Sequence, residues 1–230
     1  MELNADFTAR VAIDSNAPDW VPSPLAGVDR RMLDRIGGEV ARATSIVRYA
    51  PGSYFTAHTH GGGEEFLVLD GIFSDEHGDF GPGSYVRNPV GSSHTPFSND
   101  GCTIFVKLWQ MDLADQTGVR IDAVNDGAWQ RPPFDGAEYK LLHSFGDETV
   151  ALVRLAPGAP AIHHVHDGGE ELFIIEGDLY DEDGTYPAGT WLRSPPGSEH
   201  APTTRGGCLL YAKSGHLGKL AAEGWRMPAG

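Results

Sequence analysis

One fourteen-residue segment of the chain occurs twice, and this duplication constrains the fold more than any other feature. The first copy, residues 58–71, reads HTHGGGEEFLVLDG, and the second, residues 164–177, reads HVHDGGEELFIIEG. The offset of 106 positions is constant from Arg48, which corresponds to Arg154, through the rest of each copy. A chain of 230 residues with such a repeat is expected to form two units of about 100 to 120 residues each.

The spacing of glycine and proline predicts the fold class. Short apolar runs separated by the 30 glycines and 16 prolines favour short strands and tight turns over long helices. An all-β unit of this size closes economically as a jelly roll, which protects its edge strands. We therefore predict an all-β protein with two tandem jelly-roll barrels: residues 1–17 as an N-terminal arm, 18–115 as the first domain and 116–230 as the second.

The composition restricts partners and location. With a formal net charge of −15, the chain lacks the clustered Lys and Arg that nucleic acids or anionic membranes require. Residues 1–13 lack the apolar core of a signal peptide, and no apolar run reaches the roughly 20 residues of a spanning helix. We therefore expect a cytoplasmic protein that binds neither nucleic acids nor membranes. Cys102 and Cys208 occupy matching positions in apolar runs, so we expect buried thiols and no disulfide.

Each repeat carries a residue pattern typical of a metal site. Two histidines at positions i and i+2 of a strand share one face, and a carboxylate four residues later can return to that face across a glycine turn. A third histidine follows a Pro-x-Gly turn. Three imidazoles and one carboxylate suit zinc, ferrous iron, manganese or nickel, but not calcium. The candidate ligands are His58, His60, Glu64 and His94 in the first copy, and His164, His166, Glu170 and His200 in the second.

Other ionisable residues beside these patterns are expected to have different roles. Glu65 and Glu171 follow the ligand carboxylates by one position, so strand alternation turns them away from the metal. We expect them to face outward or to pair with Arg87 and Arg193. His163 precedes the second ligand pair and is expected to face away from the site. The remaining histidines fit no ligand pattern and are expected at the surface or in loops: His77, His143 and His216.

Alternation also predicts which residues line the space beside each metal. The predicted linings are apolar and differ between the copies, as if the two pockets accept different molecules or only one is used. The sequence shows no clear Ser, Cys or Lys nucleophile beside a base. The predicted lining residues are Tyr54, Phe66, Tyr85 and Phe97 in the first copy, and Ile162, Leu172 and Trp191 in the second.

These two ligand patterns are similar to the two motifs of the cupin family, and among cupins the chain resembles the ChrR type. The resemblance rests on His-x-His-x3-Glu-Glu, on an Asp-Glu-x-Gly-x-Phe/Tyr turn and on Arg-x-Pro-x-Gly-Ser-x-His-x-Pro, each present twice. It covers residues 20–107 and 129–213. It implies the same eight ligands and one divalent transition metal per barrel, either zinc or iron(II), with manganese or nickel as alternatives. Ser98 and Thr204 stand where many cupins end the second motif with Asn.

The resemblance implies a non-haem dioxygenase that acts on a small diketone or an aromatic ketone. The alternative is a metal-binding sensor of the ChrR anti-sigma-factor type, with a sigma factor as partner. The residues before Trp20 are too few for the helical sigma-binding segment of those proteins, which disfavours that route. A sugar-type isomerase ranks third because the predicted pockets lack rows of polar residues. The remaining expectations are a small-molecule ligand and a homodimer.

Overall fold

The computed structural model describes residues 1–132 and 135–227, so residues 133–134 and 228–230 of the predicted second domain lie outside the described part. Its regular structure is nearly all β, which confirms the predicted class. The first fifteen strands are β1 (Glu2–Leu3), β2 (Val11–Asp14), β3 (Val21–Pro22), β4 (Val28–Gly37), β5 (Ala41–Tyr49), β6 (Ser53–Tyr54), β7 (His58–Thr59), β8 (Glu64–Gly71), β9 (Phe73–Asp75), β10 (Gly78–Phe80), β11 (Ser84–Asn88), β12 (Ser93–His94), β13 (Phe97–Ser98), β14 (Cys102–Leu108) and β15 (Val119–Asp122).

The later elements repeat this pattern. They are β16 (Ala137–Phe145), β17 (Glu148–Leu155), β18 (His164–His166), β19 (Glu170–Asp181), β20 (Gly184–Pro187), β21 (Thr190–Ser194), β22 (Ser198–His200), β23 (Cys208–Ser214) and helix α1 (Gly218–Glu223). Within residues 1–132 and 135–227, no helix has the length and apolar character that crossing a bilayer requires.

The chain divides into two compact units. Unit 1 contains residues 1–5 and 18–126, and unit 2 contains residues 6–17 and the chain from residue 127 onward. This division differs from the expected one, in which residues 1–17 formed a separate arm and the boundary fell after residue 115. The reason is strand pairing, since β2 joins the large sheet of unit 2 and β15 joins that of unit 1.

Unit 1 forms one large sheet, a smaller sheet and a short ladder. The large sheet has the order β1-β4-β5-β14-β8-β11-β15, with β3 paired to β4. The smaller sheet has the order β10-β9-β13-β6, and β12 pairs with β7. Side chains from both sheets form the apolar core, and burying each of its large members stabilises the unit by about 1.5 to 3 kcal/mol. The core includes Val28, Tyr49, Phe66, Val68, Phe73, Val86, Ile104 and Val106.

Unit 2 has a similar arrangement, except that one continuous strand replaces two strands of unit 1. Its large sheet has the order β16-β17-β23-β19-β21-β2, with β20 paired to β19, and β18 pairs with β22. Strand β19 covers the positions that β8 and β9 cover separately in unit 1, at the repeat offset. Its core consists of Leu172, Ile174, Leu179, Tyr186, Leu192, Cys208 and Leu210.

The two cysteines and two of the unassigned histidines are buried. Cys102 and Cys208 are free thiols, as predicted, and burial raises their pKa values to about 11 and about 12, which keeps them protonated and unreactive. The expected surface or loop position of His143 is wrong, whereas His216 lies in the loop between β23 and α1, as expected. His143 is buried beside a register shift in β16, and the largely buried His216 side chain lies 3.4 Å from Glu171.

Candidate metal centres

A short ladder of hydrogen bonds aligns the four candidate ligands of unit 1. Strands β7 and β12 pair so that His58 lies directly opposite His94, and the amide of His60 donates to the carbonyl of Ser92. The chain then turns through three glycines, the last of which has a φ of +75° that glycine adopts without strain. Glu64 begins β8 directly after this turn, and its Oε2 lies 3.2 Å from His60 Nε2 and 3.4 Å from His94 Nε2.

The candidate ligands of unit 2 are arranged in the same way, but the carboxylate lies farther from the imidazoles. His164 lies opposite His200 in the β18–β22 ladder, and a glycine with a φ of +74° precedes Glu170. Glu170 Oε2 lies 3.5 Å from His166 Nε2 and 3.9 Å from His200 Nε2. In each unit, ligand atoms of the four residues lie within 4.8 Å of one another.

The hydrogen bonds of the imidazole rings make these groups fit a cation. In unit 1, Nδ1 of His58 faces the Thr56 carbonyl at 2.9 Å and Nδ1 of His94 faces an Asp75 carboxylate oxygen at 3.0 Å. Those oxygens only accept hydrogen bonds, so Nδ1 carries the proton and Nε2 carries a lone pair directed at the Glu64 carboxylate. Lone pairs and an anionic oxygen repel each other unless a cation lies between them.

The buried nitrogen atoms support the same conclusion. The Nε2 atoms of His60, His94, His166 and His200 are buried and have no hydrogen-bond partner in the described part of the chain. Such atoms are costly to bury unless something binds them. Two atoms that each lie about 2.1 Å from a shared cation are about 3.0 to 3.4 Å apart, close to the contacts of unit 1. The residues of both centres therefore fit a transition metal.

The charge states of the two carboxylates differ. In the absence of a cation, burial opposes the charge of Glu64, but the nearby rings of His60 and His94 and the hydrogen bond from Asn88 lower its pKa to about 2. In unit 2, burial raises the pKa of Glu170 to about 8. Burial, with the nearby His200 and His164, also lowers the pKa of His166 to about 4. The distances from the carboxylate to the rings are longer in unit 2, and Ser194 stands there in place of Asn88, whose amide donates to Glu64 in unit 1.

Several residues that support the ligands were not predicted from the sequence. Asp75 and Asp181 accept hydrogen bonds from Nδ1 of His94 and His200, both at 3.0 Å, and orient those rings. The signal for these aspartates in the sequence is the Asp-Glu-x-Gly turn, which occurs twice and begins with each of them. Ser92 Oγ lies 3.0 Å from His60 Nδ1, and Asn88 Nδ2 donates to Glu64 Oε2 at 3.1 Å.

The predicted pocket residues are only partly where alternation placed them. Phe66 and Leu172 lie in the cores beside the ligands, and Phe97 and Ile162 are half-buried. Tyr54 is 63% exposed because β6 and β7 are separate strands, so alternation does not carry across to His58. Its neighbour Phe55 turns inward instead, with its ring 5.2 Å from that of His58.

Tyr85 and Trp191 require a correction, because they lie on the sheet face opposite the ligands. Tyr85 pairs with Leu67, one position out of phase with Glu64, and its hydroxyl donates to Glu65 at 2.8 Å. Trp191 likewise pairs with Phe173, and its ring lies near Arg193. The residues of β11 and β21 that share the ligand face are Val86, Asn88, Leu192 and Ser194.

The expected positions of the other charged residues agree with the structure. Glu65 is buried and its Oε2 lies 2.9 Å from Arg87 Nη1, while Arg87 also contacts Asp115 at 2.6 Å. Glu171 is likewise buried and lies opposite Arg193 in the pairing of β19 with β21. His163 is exposed and faces away from the ligands, with Nε2 3.5 Å from Glu199. The buried ion pairs of Arg87 with Glu65 and Asp115 therefore stand apart from the candidate ligands.

Comparison with known proteins identifies the fold and the family. The sequence model of the ChrR cupin-like domain family matches residues 8–112 and again residues 118–218. A candidate dioxygenase from Nostoc punctiforme is similar in structure, with a TM-score of 0.77 and 17% identity over 96% of this chain and 88% of that one. Protein YlbA from E. coli gives a TM-score of 0.69 and 16% identity over 90% and 91% of the two chains.

More distant similarity extends to an oxalate decarboxylase from Bacillus subtilis. That similarity has a TM-score of 0.56 and 14% identity over 88% of this chain and 76% of that one. None of the curated protein sequences matches this chain. At these identities the solved structures establish the fold alone.

Proposed function

This chain belongs to the ChrR cupin-like family, and from that premise we propose that it is a metal-dependent dioxygenase that cleaves a small diketone or an aromatic ketone. The observation that carries the proposal is the convergence of three imidazoles and one carboxylate in each unit. The structural similarity to a candidate dioxygenase over 96% of the chain supports it. Iron(II) is the proposed metal for the reaction, with zinc, manganese or nickel as alternatives.

The surroundings of the ligands suit a small, largely apolar substrate. When bound, the metal would supply Lewis-acid and redox chemistry, with O₂ as the oxidant whose two atoms enter the products. Phe66, Val68 and Phe73 form an apolar wall at the first centre, and Leu172, Ile174 and Leu179 form the matching wall at the second. These walls would exclude water and so strengthen the attraction between an anionic enolate oxygen and a cation held by the ligands.

The proposal has a direct test in oxygen consumption. Protein loaded with iron(II) should consume O₂ when a panel of β-diketones and aromatic ketones is added, and at least one member should give saturable turnover. Protein that carries both Glu64→Gln and Glu170→Gln should consume none above the level of free iron. Equal consumption by the wild type and this double variant would refute the proposal.

A second candidate is a regulatory metal-binding module, and the family description favours it. In that case the small-molecule ligand is replaced by a protein partner such as a sigma factor. A flat oxygen response across the whole panel, together with stoichiometric metal binding, would favour this candidate over the enzyme.

A further inference from the structure

The two candidate centres have the same ligands but different surroundings. We propose that the first centre retains its cation, whereas the second exchanges its cation and admits small anionic oxygen- or nitrogen-donor ligands. This inference rests on the proposed metal binding and goes beyond it by giving the two centres different tasks. The residues that differ are Asn88, Arg120 and Phe55 in unit 1, and Ser194, Ala12 and Ala161 at the matching positions of unit 2. Ser92 and Ser198 are matching serines that make different contacts.

Asn88 fixes the carboxylate of the first centre. It is 1% exposed, and its Nδ2 donates to Glu64 Oε2 at 3.1 Å. Arg120, on the edge strand β15, donates from Nη2 to Asn88 Oδ1 at 3.1 Å, which sets the amide so that its NH₂ group faces Glu64. Release of a cation begins when one ligand moves away, so a carboxylate held by a second bond slows that step.

Unit 2 lacks this arrangement. Ser194 occupies the position of Asn88, and the edge strand β2 places Ala12 opposite Leu192, where β15 places Arg120 opposite Val86. In the described part of the chain, the Glu170 carboxylate contacts the imidazoles of His166 and His200 and makes no hydrogen bond to Ser194. Glu170 can therefore rotate away from the centre without breaking a supporting contact.

The ring of the second ligand histidine is also held differently. In unit 1, Ser92 Oγ donates to the Pro89 carbonyl at 2.6 Å, so it accepts from His60 Nδ1 at 3.0 Å. In unit 2, Ser198 Oγ donates to the Pro195 carbonyl at the same 2.6 Å. Among the described residues, however, His166 makes no hydrogen bond to this serine, so the orientation of its ring is less restricted.

The ligands of the second centre are also more accessible than those of the first. Phe55 packs against the core of unit 1 and its ring lies 5.2 Å from the ring of His58, which is half-buried. Ala161 stands at the matching position of unit 2, and His164 there is exposed. A small ligand can therefore approach the second centre from the side that Phe55 covers in the first.

Cobalt(II) release tests the difference in retention. Wild-type protein loaded with two equivalents of cobalt(II) should release them to excess 4-(2-pyridylazo)resorcinol in two phases of equal amplitude, with rates that differ by about tenfold or more. The Glu64→Gln variant should keep the fast phase alone, and Glu170→Gln the slow phase alone. Two bound equivalents released in one phase would overturn this inference while leaving the proposed metal binding intact, and failure to bind cobalt at either centre would overturn both.

Exchanging Asn88 and its counterpart Ser194 tests whether Asn88 causes the difference in release rate. Asn88→Ser should accelerate the slow phase by about tenfold without changing the amount of bound cobalt. The double variant Ala12→Arg with Ser194→Asn should slow the fast phase, a gain that damage to the fold cannot mimic. Release rates unchanged in both variants would contradict the role of Asn88.

Azide tests the difference in access, because its binding to cobalt(II) changes the visible absorption spectrum. Azide should change the spectrum of the Glu64→Gln variant, which loads the second centre, and should leave the Glu170→Gln variant nearly unchanged. Adding Phe55→Ala to the Glu170→Gln variant should create a spectral response to azide. Adding Ala161→Phe to the Glu64→Gln variant should weaken the response of that variant. An equal azide response in the two single-centre variants would overturn the proposed open second centre.

Discussion

Glu64 and Glu170 occupy equivalent positions in two copies of one fold, yet their environments favour opposite charge states in the absence of a cation. The Glu64 side chain is approached by two imidazoles and an amide, which hold its pKa near 2. The Glu170 side chain is buried without the amide, and its pKa rises to about 8. A ligand motif therefore specifies which residues converge, while neighbours outside the motif set how strongly they attract a cation.

The largest expected effect comes from the ligand carboxylates themselves. Glu64→Gln and Glu170→Gln should each remove about one equivalent of bound metal per chain, because an amide replaces an anionic ligand. Elemental analysis of protein purified without added metal measures the loss. If neither substitution lowers the metal content, the ligand assignment fails for both centres and the comparison between them has no basis.

The next effect concerns the aspartates behind the third histidines. Asp75→Asn and Asp181→Asn should each weaken metal binding at their own centre by about 10- to 100-fold, because the imidazole loses the carboxylate that orients it. Competition with a chelator in the single-centre backgrounds measures the affinity. Arg10 contacts Asp181 at 3.3 Å, and Tyr186 donates to it at 2.8 Å. Arg10→Ala should therefore weaken the second centre alone, and an equal effect on the first centre would contradict this placement.

The pH dependence of binding should separate the two centres. A cation binds the charged carboxylate, so below pH 8 it must displace a proton from Glu170, whose pKa is about 8. Affinity at the second centre should therefore rise by about tenfold per pH unit up to pH 8. Glu64 stays charged across this range because its pKa is about 2, so the first centre should respond less. Metal titrations of the single-centre variants from pH 6.5 to 9 measure how the affinity of each centre depends on pH. Equal pH dependence at the two centres would contradict the difference in charge state between Glu64 and Glu170.

The smallest expected effect comes from the serine behind His60. Ser92→Ala removes one hydrogen bond to the ring, worth about 0.5 to 1.5 kcal/mol, and should weaken the first centre a few-fold. The matched control is Ser198→Ala, which removes the corresponding hydroxyl in unit 2. We expect no change at the second centre, and isothermal calorimetry with zinc would detect a difference of this size.

The sequence predicts the fold and the convergence of the ligands because both depend on residues repeated at fixed spacing. The ladder that sets His58 opposite His94, and His164 opposite His200, follows from the His-x-His pattern and the Pro-x-Gly turn. The free, buried cysteines follow from matching positions in apolar runs. Whether a metal occupies these centres, and which one, remains a prediction.

The sequence predicts the neighbours of the ligands less well, because their placement depends on strand register and strand ends. Tyr85 and Trp191 lie one position out of phase with the ligand face, since register across the sheet cannot be counted along a single strand. The Asn88–Glu64 contact crosses from β11 to β8, and Arg120 reaches Asn88 from β15. Contacts between segments so distant in sequence leave no local pattern.

Strand β2 gives unit 2 an unusual order of assembly. Val11 pairs with Arg193, so the edge strand leaves the ribosome 182 residues before the strand that receives it. At about 5 to 20 residues per second, it waits roughly 9 to 36 seconds for its partner. Unit 1 contains its own edge strand, β15, within a continuous stretch and can close its sheet while translation proceeds. Strand β2 is therefore made long before its partner and is among the last to find its place, and nascent chains halted before residue 190 should carry it unpaired.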